Sequence, residues 1–282
     1  MINRRGYALL ATLWICVGIG ALTFLISVSA RETMASSRNR MAFTRAAWLG
    51  QACLAYGREA LRDAFTQETA TRLDSSRTLW SHVDRVLAEA PRTVAGCTLS
   101  AQVVGSRLDV NATDEATLRR VLRVAGMAAA KADSTAAAIT QWIKTKGRFV
   151  DQRELHRVPG LDSLERLDSI LGVEPGPLAL NQAPRELLAL LPGFTDHTVR
   201  EVLDARARGE PIMTFHELTP WLDRATPDAS AKLPGLILLT PTAWVVTART
   251  RNGTPPVTAV IEVRLSRAGH STSITRRRSW LE

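Results

Sequence analysis

Three cysteines and five histidines are the side chains here best suited to hold a metal or to act as nucleophile and base, and their spacing serves neither purpose. Cys16, Cys53 and Cys97 lie far apart, with no Cys-x-x-Cys pair and no histidine at ligand spacing, so a zinc site is not expected. His82, His156, His197, His216 and His270 are scattered, without a His-x-x-x-His pair. A G-x-S-x-G nucleophile elbow and a phosphate-binding G-x-x-x-x-G-K-[ST] run are both missing. The expectation is a chain with no catalytic residues, no metal and no cofactor, a structural or binding protein and not an enzyme.

With no catalytic group to position, the elements themselves carry the information. An apolar content of 45% implies a packed core. The balance of 36 Lys plus Arg against 27 Asp plus Glu gives +9, which permits contact with nucleic acid or anionic lipid without requiring either. From Tyr7 to Ala30 there are 24 uncharged residues, preceded by Arg4-Arg5-Gly6 and followed by Arg31-Glu32. As a helix this run spans ~36 Å, enough for a hydrocarbon core of ~30 Å. Arg4 and Arg5 favour a cytoplasmic N-terminus, with everything after Arg31 on the far side of the membrane. A secretory signal peptide cut after Val28-Ser29-Ala30 is the alternative, but the apolar run exceeds the ~7 to 15 residues of such a segment. Helical patterning also continues beyond it: Met34, Met41, Ala46, Leu49, Cys53, Leu54, Leu61, Ala64 and Phe65 recur mostly at three- and four-residue steps. The spacing predicts one helix to about Arg72 and another over Leu79 to Ala90, ended by Pro91.

Alternating apolar residues then predict a strand over Cys97 to Val103, a turn at Gly105-Ser106 and a returning strand over Arg107 to Val110. A three-stranded meander is expected from Trp244 to Trp280, broken at Gly253-Thr254-Pro255-Pro256 and at Gly269. Between the strand groups, residues 111–235 read as helical and internally repeated. Leu108-Asp109-Val110-Asn111 parallels Leu178-Ala179-Leu180-Asn181, the asparagines standing 70 apart. Each copy closes on a similar phrase, Gly147-Arg148-Phe149 with Glu154-Leu155 and Gly209 with Phe215 and Glu217-Leu218, implying two helix-hairpin units.

Arg5-Gly6 followed by Tyr7-Ala8-Leu9-Leu10-Ala11 resembles the leader junction of type IV pilins and type II secretion pseudopilins. Asn181-Gln182-Ala183-Pro184-Arg185-Glu186-Leu187 resembles the N-T-A-x-x-x-L phrase of the K-type minor pseudopilins, with Pro184 suited to a first helical turn. A helical block inserted between strands is the second feature shared with that family. The resemblance implies an α+β, type IV pilin-like fold, a long N-terminal helix packed on an antiparallel sheet, with an inserted α-helical domain of two helix-hairpin units. It divides the chain into a leader (1–6), a transmembrane helix (7–30), a periplasmic helix with the first strands (31–110), the insert (111–235) and the last strands (236–282). It also implies cleavage between Gly6 and Tyr7 by a prepilin peptidase, with methylation of the new N-terminus.

Most members of the family carry Glu at the fifth mature position, where it neutralises a neighbour's terminal ammonium; here that residue is Ala11. The departure matches the K type, thought to sit at the fibre tip. The implied partners are the other minor pseudopilins (I and J types), the pseudopilus, prepilin peptidase and the inner membrane, and no nucleic acid. Some relatives bind calcium after the Trp of the first α unit, but Trp142 is followed by Ile143-Lys144-Thr145-Lys146-Gly147, which offers no carboxylate.

Two other readings compete. A membrane-tethered helix-hairpin-helix protein that captures DNA would use Val158-Pro159-Gly160-Leu161 and Leu191-Pro192-Gly193-Phe194, although Asp162 and Thr195 stand where a second glycine would let phosphate approach. A minor pilin of a type IV pilus would share the fold but serve another machine. Trp142 and Trp221 read as core or interface aromatics. Arg276-Arg277-Arg278 could meet lipid headgroups or an acidic partner, or simply discourage edge pairing. In an oxidising periplasm, with Cys16 in the membrane, Cys53 and Cys97 could form a disulfide or remain two buried thiols. If the leader reading holds, intact-mass analysis of membrane-extracted protein shows a chain beginning at Tyr7 and carrying one added methyl group. A chain beginning at Arg31 identifies a signal peptide instead.

Overall fold

The computed structural model describes residues 4–70, 86–87, 96–161, 165–223, 227–254, 256–269 and 271–282. Its largest element is α1, Arg4–Ala70, 67 residues without a proline and so about 100 Å long. The helix expected over Leu79 to Ala90 lies outside the described residues, apart from Val86 and Leu87, which are helical. Thr12 through Met41 are exposed, whereas Ala46, Gly50, Cys53, Leu54, Gly57 and Leu61 are buried at three- and four-residue steps. That stripe lies on a sheet of four strands in the order β1-β6-β7-β8. The strands are β1 (Cys97–Val103), β6 (Ala243–Asn252), β7 (Val257–Ala268) and β8 (Ser271–Leu281).

All three pairings are antiparallel, with Leu99 opposite Ala248, Val246 opposite Val263 and Ile261 opposite Ser279. Inward residues of β6 and β7, including Trp244, Val246, Ile261 and Val263, join Leu54, Leu61 and Leu99 in one core. Helix and sheet approach closely because two facing residues of α1 have no side chain. A Cβ on Gly50 would lie 2.9 Å from Ile261 Cδ1, and one on Gly57 would lie 2.7 Å from Leu99 Cδ1. Between them the Thr250 hydroxyl of β6 donates to the Ala46 carbonyl at 2.7 Å, in a buried setting. Met34 and Met41, members of the same apolar periodicity, are exposed and lie outside the covered stripe.

The predicted hairpin over 97–110 is corrected by the structure. The chain does turn after β1, with Ser106 N donating to Val103 O at 3.2 Å. The next strand, β2 (Leu108–Asp109), does not return along β1 but pairs in parallel with β3 (Leu171–Gly172). Leu108 and Val110 thereby pack into a second core, that of the insert. β1 takes β6 as its partner, and Val104 N donates to Ala243 O at 3.0 Å, which holds the two ends of the insert together.

The insert is built twice over. The first unit runs from β2 through α2 (Glu115–Val124) and α3 (Ala129–Lys146) to β3. The second opens on β4 (Leu178–Ala179) and contains α4 (Arg185–Leu188), α5 (Asp196–Ala207), α6 (Phe215–Leu218) and α7 (Pro227–Leu236). It closes on β5 (Ile237–Leu238), parallel to β4. Asp114 caps α2 by accepting from Thr117 N at 2.9 Å, an interaction worth about 1 kcal/mol. Pro184 occupies the residue before α4, at its N-cap and not within its first turn.

The repeated asparagines do the same work in each unit. Asn111 accepts from Phe149 N at 2.7 Å and donates to Phe149 O at 3.1 Å. Asn181 accepts from Ile212 N at 2.9 Å and donates to Ile212 O and Leu239 O, both at 2.8 Å. A carboxamide presents one acceptor and a two-proton donor, so it pairs with an extended backbone as another strand would. The counterpart of Phe149 is therefore Ile212, and not Phe215 as the sequence phrases suggest. Glu154 and Glu217 also correspond, accepting from Val150 N at 2.8 Å and from Met213 N at 3.1 Å. Arg206 of α5 donates to the carbonyls of Leu180 and Ala183 on either side of Asn181, and burial pushes its pKa down to about 10. Replacing Asn181 by Ala strands a backbone N–H and two carbonyls, and the expected loss is about 3 kcal/mol; at half-buried Asn111 the same change removes about 1 to 2 kcal/mol. Urea unfolding of the full chain in detergent, followed by Trp fluorescence, should rank the two variants in that order.

Candidate assembly surfaces

α1 presents its apolar side chains to its surroundings along the first half of its length. Leu13, Trp14, Ile19, Leu22, Phe24 and Leu25 are 60 to 69% exposed, far more contiguous apolar surface than a water-facing helix carries. Among the described residues this is the one helix long and apolar enough to cross a membrane. Gly6, Tyr7 and Ala11 fall in the first turns of α1, and their side chains lie outside the described residues.

Beyond the span the helix has two faces. One lies on the sheet; on the other stand Met34, Met41 and Trp48, seven residues apart and 61%, 54% and 66% exposed. Seven residues are nearly two turns, so the three side chains form a line on one side of the helix, turned away from Ala46, Gly50 and Leu54. Thioether and indole side chains in such a line suit the docking of a second helix, because they adapt to an irregular apolar surface. The three- and four-residue periodicity groups Met34 and Met41 with residues that the sheet covers and omits Trp48; the seven-residue spacing is the signal that separates them.

The insert and the sheet meet at a cluster of charges. Arg276 and Arg278 of β8 face Glu262 of β7 together with Glu174 and Asp151 of the insert. Arg276 pairs with Glu174, while Arg278 lies 3.6 Å from Glu262, and 3.8 Å from both Asp151 and Glu174. Arg264 adds contacts to Glu174 at 3.5 Å and to the Pro175 carbonyl at 3.0 Å. Burial raises the pKa of Glu262 against the pull of Arg278, and lowers that of Arg276, which Arg278 also repels. The Asp151 carboxyl is held below the usual carboxylate range, first by its hydrogen bonds from Arg153. Arg153 in turn stacks over the Trp280 ring at 4.4 Å. The acidic partner of the arginine run is thus the chain itself, for Arg276 and Arg278. Arg277 alternates to the other side of β8 and is exposed.

Both hairpins that suggested phosphate binding have packing roles. Val158 and Leu161 are buried in the insert core. Gly160 lies against α3, where an added Cβ would come within 2.2 Å of Thr135 Oγ1. Asp162 lies outside the described residues. In the second hairpin Gly193 O accepts from Asp223 N at 3.0 Å, and the Thr195 hydroxyl caps α5 by accepting from Thr198 N at 3.3 Å. Trp142 stacks on Phe149 with ring centres 5.4 Å apart, and Trp221 packs against the same core.

Cys53 of α1 and Cys97 of β1 are joined, with Cα atoms 6.4 Å apart across 44 residues of chain; Cys16 is free and exposed on the span. The bond ties helix to sheet at the contact Gly50 and Gly57 make possible, and a loop of that length is worth about 4 kcal/mol in the chain-entropy account. Alkylation of the denatured, unreduced chain should modify Cys16 alone, and reduction should expose Cys53 and Cys97 as well. Modification of all three before reduction means that the bond does not form.

No protein-family model and no curated protein sequence matches this chain. Among solved structures it is similar to a chain in the crystal structure of the GspK-GspI-GspJ complex from the enterotoxigenic Escherichia coli type 2 secretion system. The TM-score is 0.56 at 11% identity, over 86% of this chain and 99% of that one. At such identity the likeness is one of architecture. The chain accordingly has an α+β, pilin-like fold, in which a long apolar N-terminal helix lies on a four-stranded antiparallel sheet.

Proposed function

We propose that this chain is a K-type minor pseudopilin, a structural subunit and not a catalyst, placed at the tip of a type II secretion pseudopilus, where it initiates or caps assembly. The observation that carries the reading is the likeness, nearly end to end, to a chain of the GspK-GspI-GspJ complex. In this reading prepilin peptidase cuts between Gly6 and Tyr7, residues 7–30 anchor the subunit in the inner membrane with its N-terminus cytoplasmic, and the disulfide-tied body lies in the periplasm. The I- and J-type minor pseudopilins are its partners, docking along the line of Met34, Met41 and Trp48. Two features favour a terminal place. Ala11 supplies no carboxylate for a neighbour's ammonium, and the insert, hung from the Val104–Ala243 junction, adds bulk that obstructs an axial neighbour.

Cross-linking tests this directly. With Cys16→Ser as background, Met41→Cys and Trp48→Cys should each give a specific cross-link to another minor pseudopilin, and Trp48→Glu should reduce the recovered complex at least about tenfold. Cells lacking the other pseudopilins should yield monomer. A ladder of homopolymers would overturn the tip assignment. Ala11→Glu separates the two causes, since it changes little if the insert alone blocks growth and restores a ladder if the missing carboxylate does.

A further inference from the structure

The two units of the insert face one another across a cleft of about 600 Å³. Leu108 of the first unit and Leu190 and Leu191 of the second, all half-buried, line it, and Leu236, 46% exposed, forms part of its wall. Arg107, Arg120 and Arg148 line it as well, against Asp109 as the single carboxylate, so the cleft is apolar and net positive. Among the described residues Arg120 reaches only the Thr117 hydroxyl, at 3.2 Å. Arg148 is exposed and has no hydrogen bond or ion pair among the described residues.

Asp109 is the informative residue. It is 5% exposed; its Oδ1 accepts from Asn111 N at 2.9 Å, while its buried Oδ2 has no hydrogen-bond partner. A buried acceptor left unpaired is destabilising. The repeat provides an internal control: the same ladder position in the second unit is Ala179, fully buried and apolar. The architecture of the unit therefore does not call for a carboxylate there.

We propose that this cleft binds a short apolar and acidic peptide segment of another protein. Its apolar side chains lie over Leu190, Leu191 and Leu236, its carboxylates pair with Arg120 and Arg148, and one of its backbone N–H groups donates to Asp109 Oδ2. Charge complementarity selects an acidic segment, and the apolar walls separate it from a free anion. The inference goes beyond the assembly role and does not rest on it.

The test uses the full chain in lipid nanodiscs and fluorescence anisotropy with three labelled peptides: alternating Leu and Glu, alternating Leu and Lys, and alternating Ser and Glu. The Leu/Glu peptide should bind saturably, and the other two at least about tenfold more weakly. The double variant Arg120→Ala/Arg148→Ala should weaken Leu/Glu binding by about tenfold or more. Asp109→Ala should weaken it several-fold while leaving the unfolding midpoint unchanged or higher, as Ala179 foreshadows. Equal binding of Leu/Glu and Leu/Lys, no saturable binding, or an unaffected arginine double variant would overturn the proposal. So would equal binding of Ser/Glu, or full displacement by millimolar inorganic phosphate, since either marks a plain anion surface.

Discussion

A helix can lie close along a twisted sheet only where the residues between them are small, and in this protein that condition is met at Gly50 and Gly57, against Ile261 and Leu99. The contact is reinforced covalently by Cys53–Cys97 and by the Thr250–Ala46 hydrogen bond. Because α1 is continuous through it, docking its second half on the sheet also sets the direction in which the apolar first half leaves the body. The same docking decides which side of the helix stays uncovered, the side bearing Met34, Met41 and Trp48.

The insert is accommodated because its two ends are already neighbours. β1 and β6 pair side by side, so the chain leaves the sheet at Val104 and re-enters at Ala243 within one hydrogen bond. Such a connection asks nothing of the sheet beyond an ordinary strand pair, and the insert can hold a core of its own. Inside it, Asn111 and Asn181 substitute for strand partners. Each satisfies backbone groups that would otherwise be buried unpaired, so two short units close with two-residue ladders.

Charge adds to the Ala179 N to Gly105 O hydrogen bond, at 2.8 Å, in orienting the insert on the sheet. Ion pairs withdrawn partly from water, as these half-buried ones are, add little net stability against apolar packing, since desolvation offsets much of their attraction, but a half-broken set is unfavourable. Arg276, Arg278, Glu262, Glu174 and Asp151 therefore define one arrangement of the two cores and penalise others.

Much of this was legible in the sequence. Uncharged residues from Tyr7 to Ala30, followed by unbroken helical periodicity, determined α1; alternation determined the three C-terminal strands; and the 70-residue offset of Asn111 and Asn181 determined the repeat. These are local signals, carried by composition and period. Tertiary structure decided that β1 pairs with β6 and not with its sequence neighbour, whose Val110 is buried in the insert core with Leu108 packed against it. It decided that Met34 and Met41 face outward and that Arg276 and Arg278 face inward. It also brought Asp109 beside leucines of the second unit. Periodicity tells which residues share a face of an element, but which face is covered depends on what else in the chain arrives to cover it.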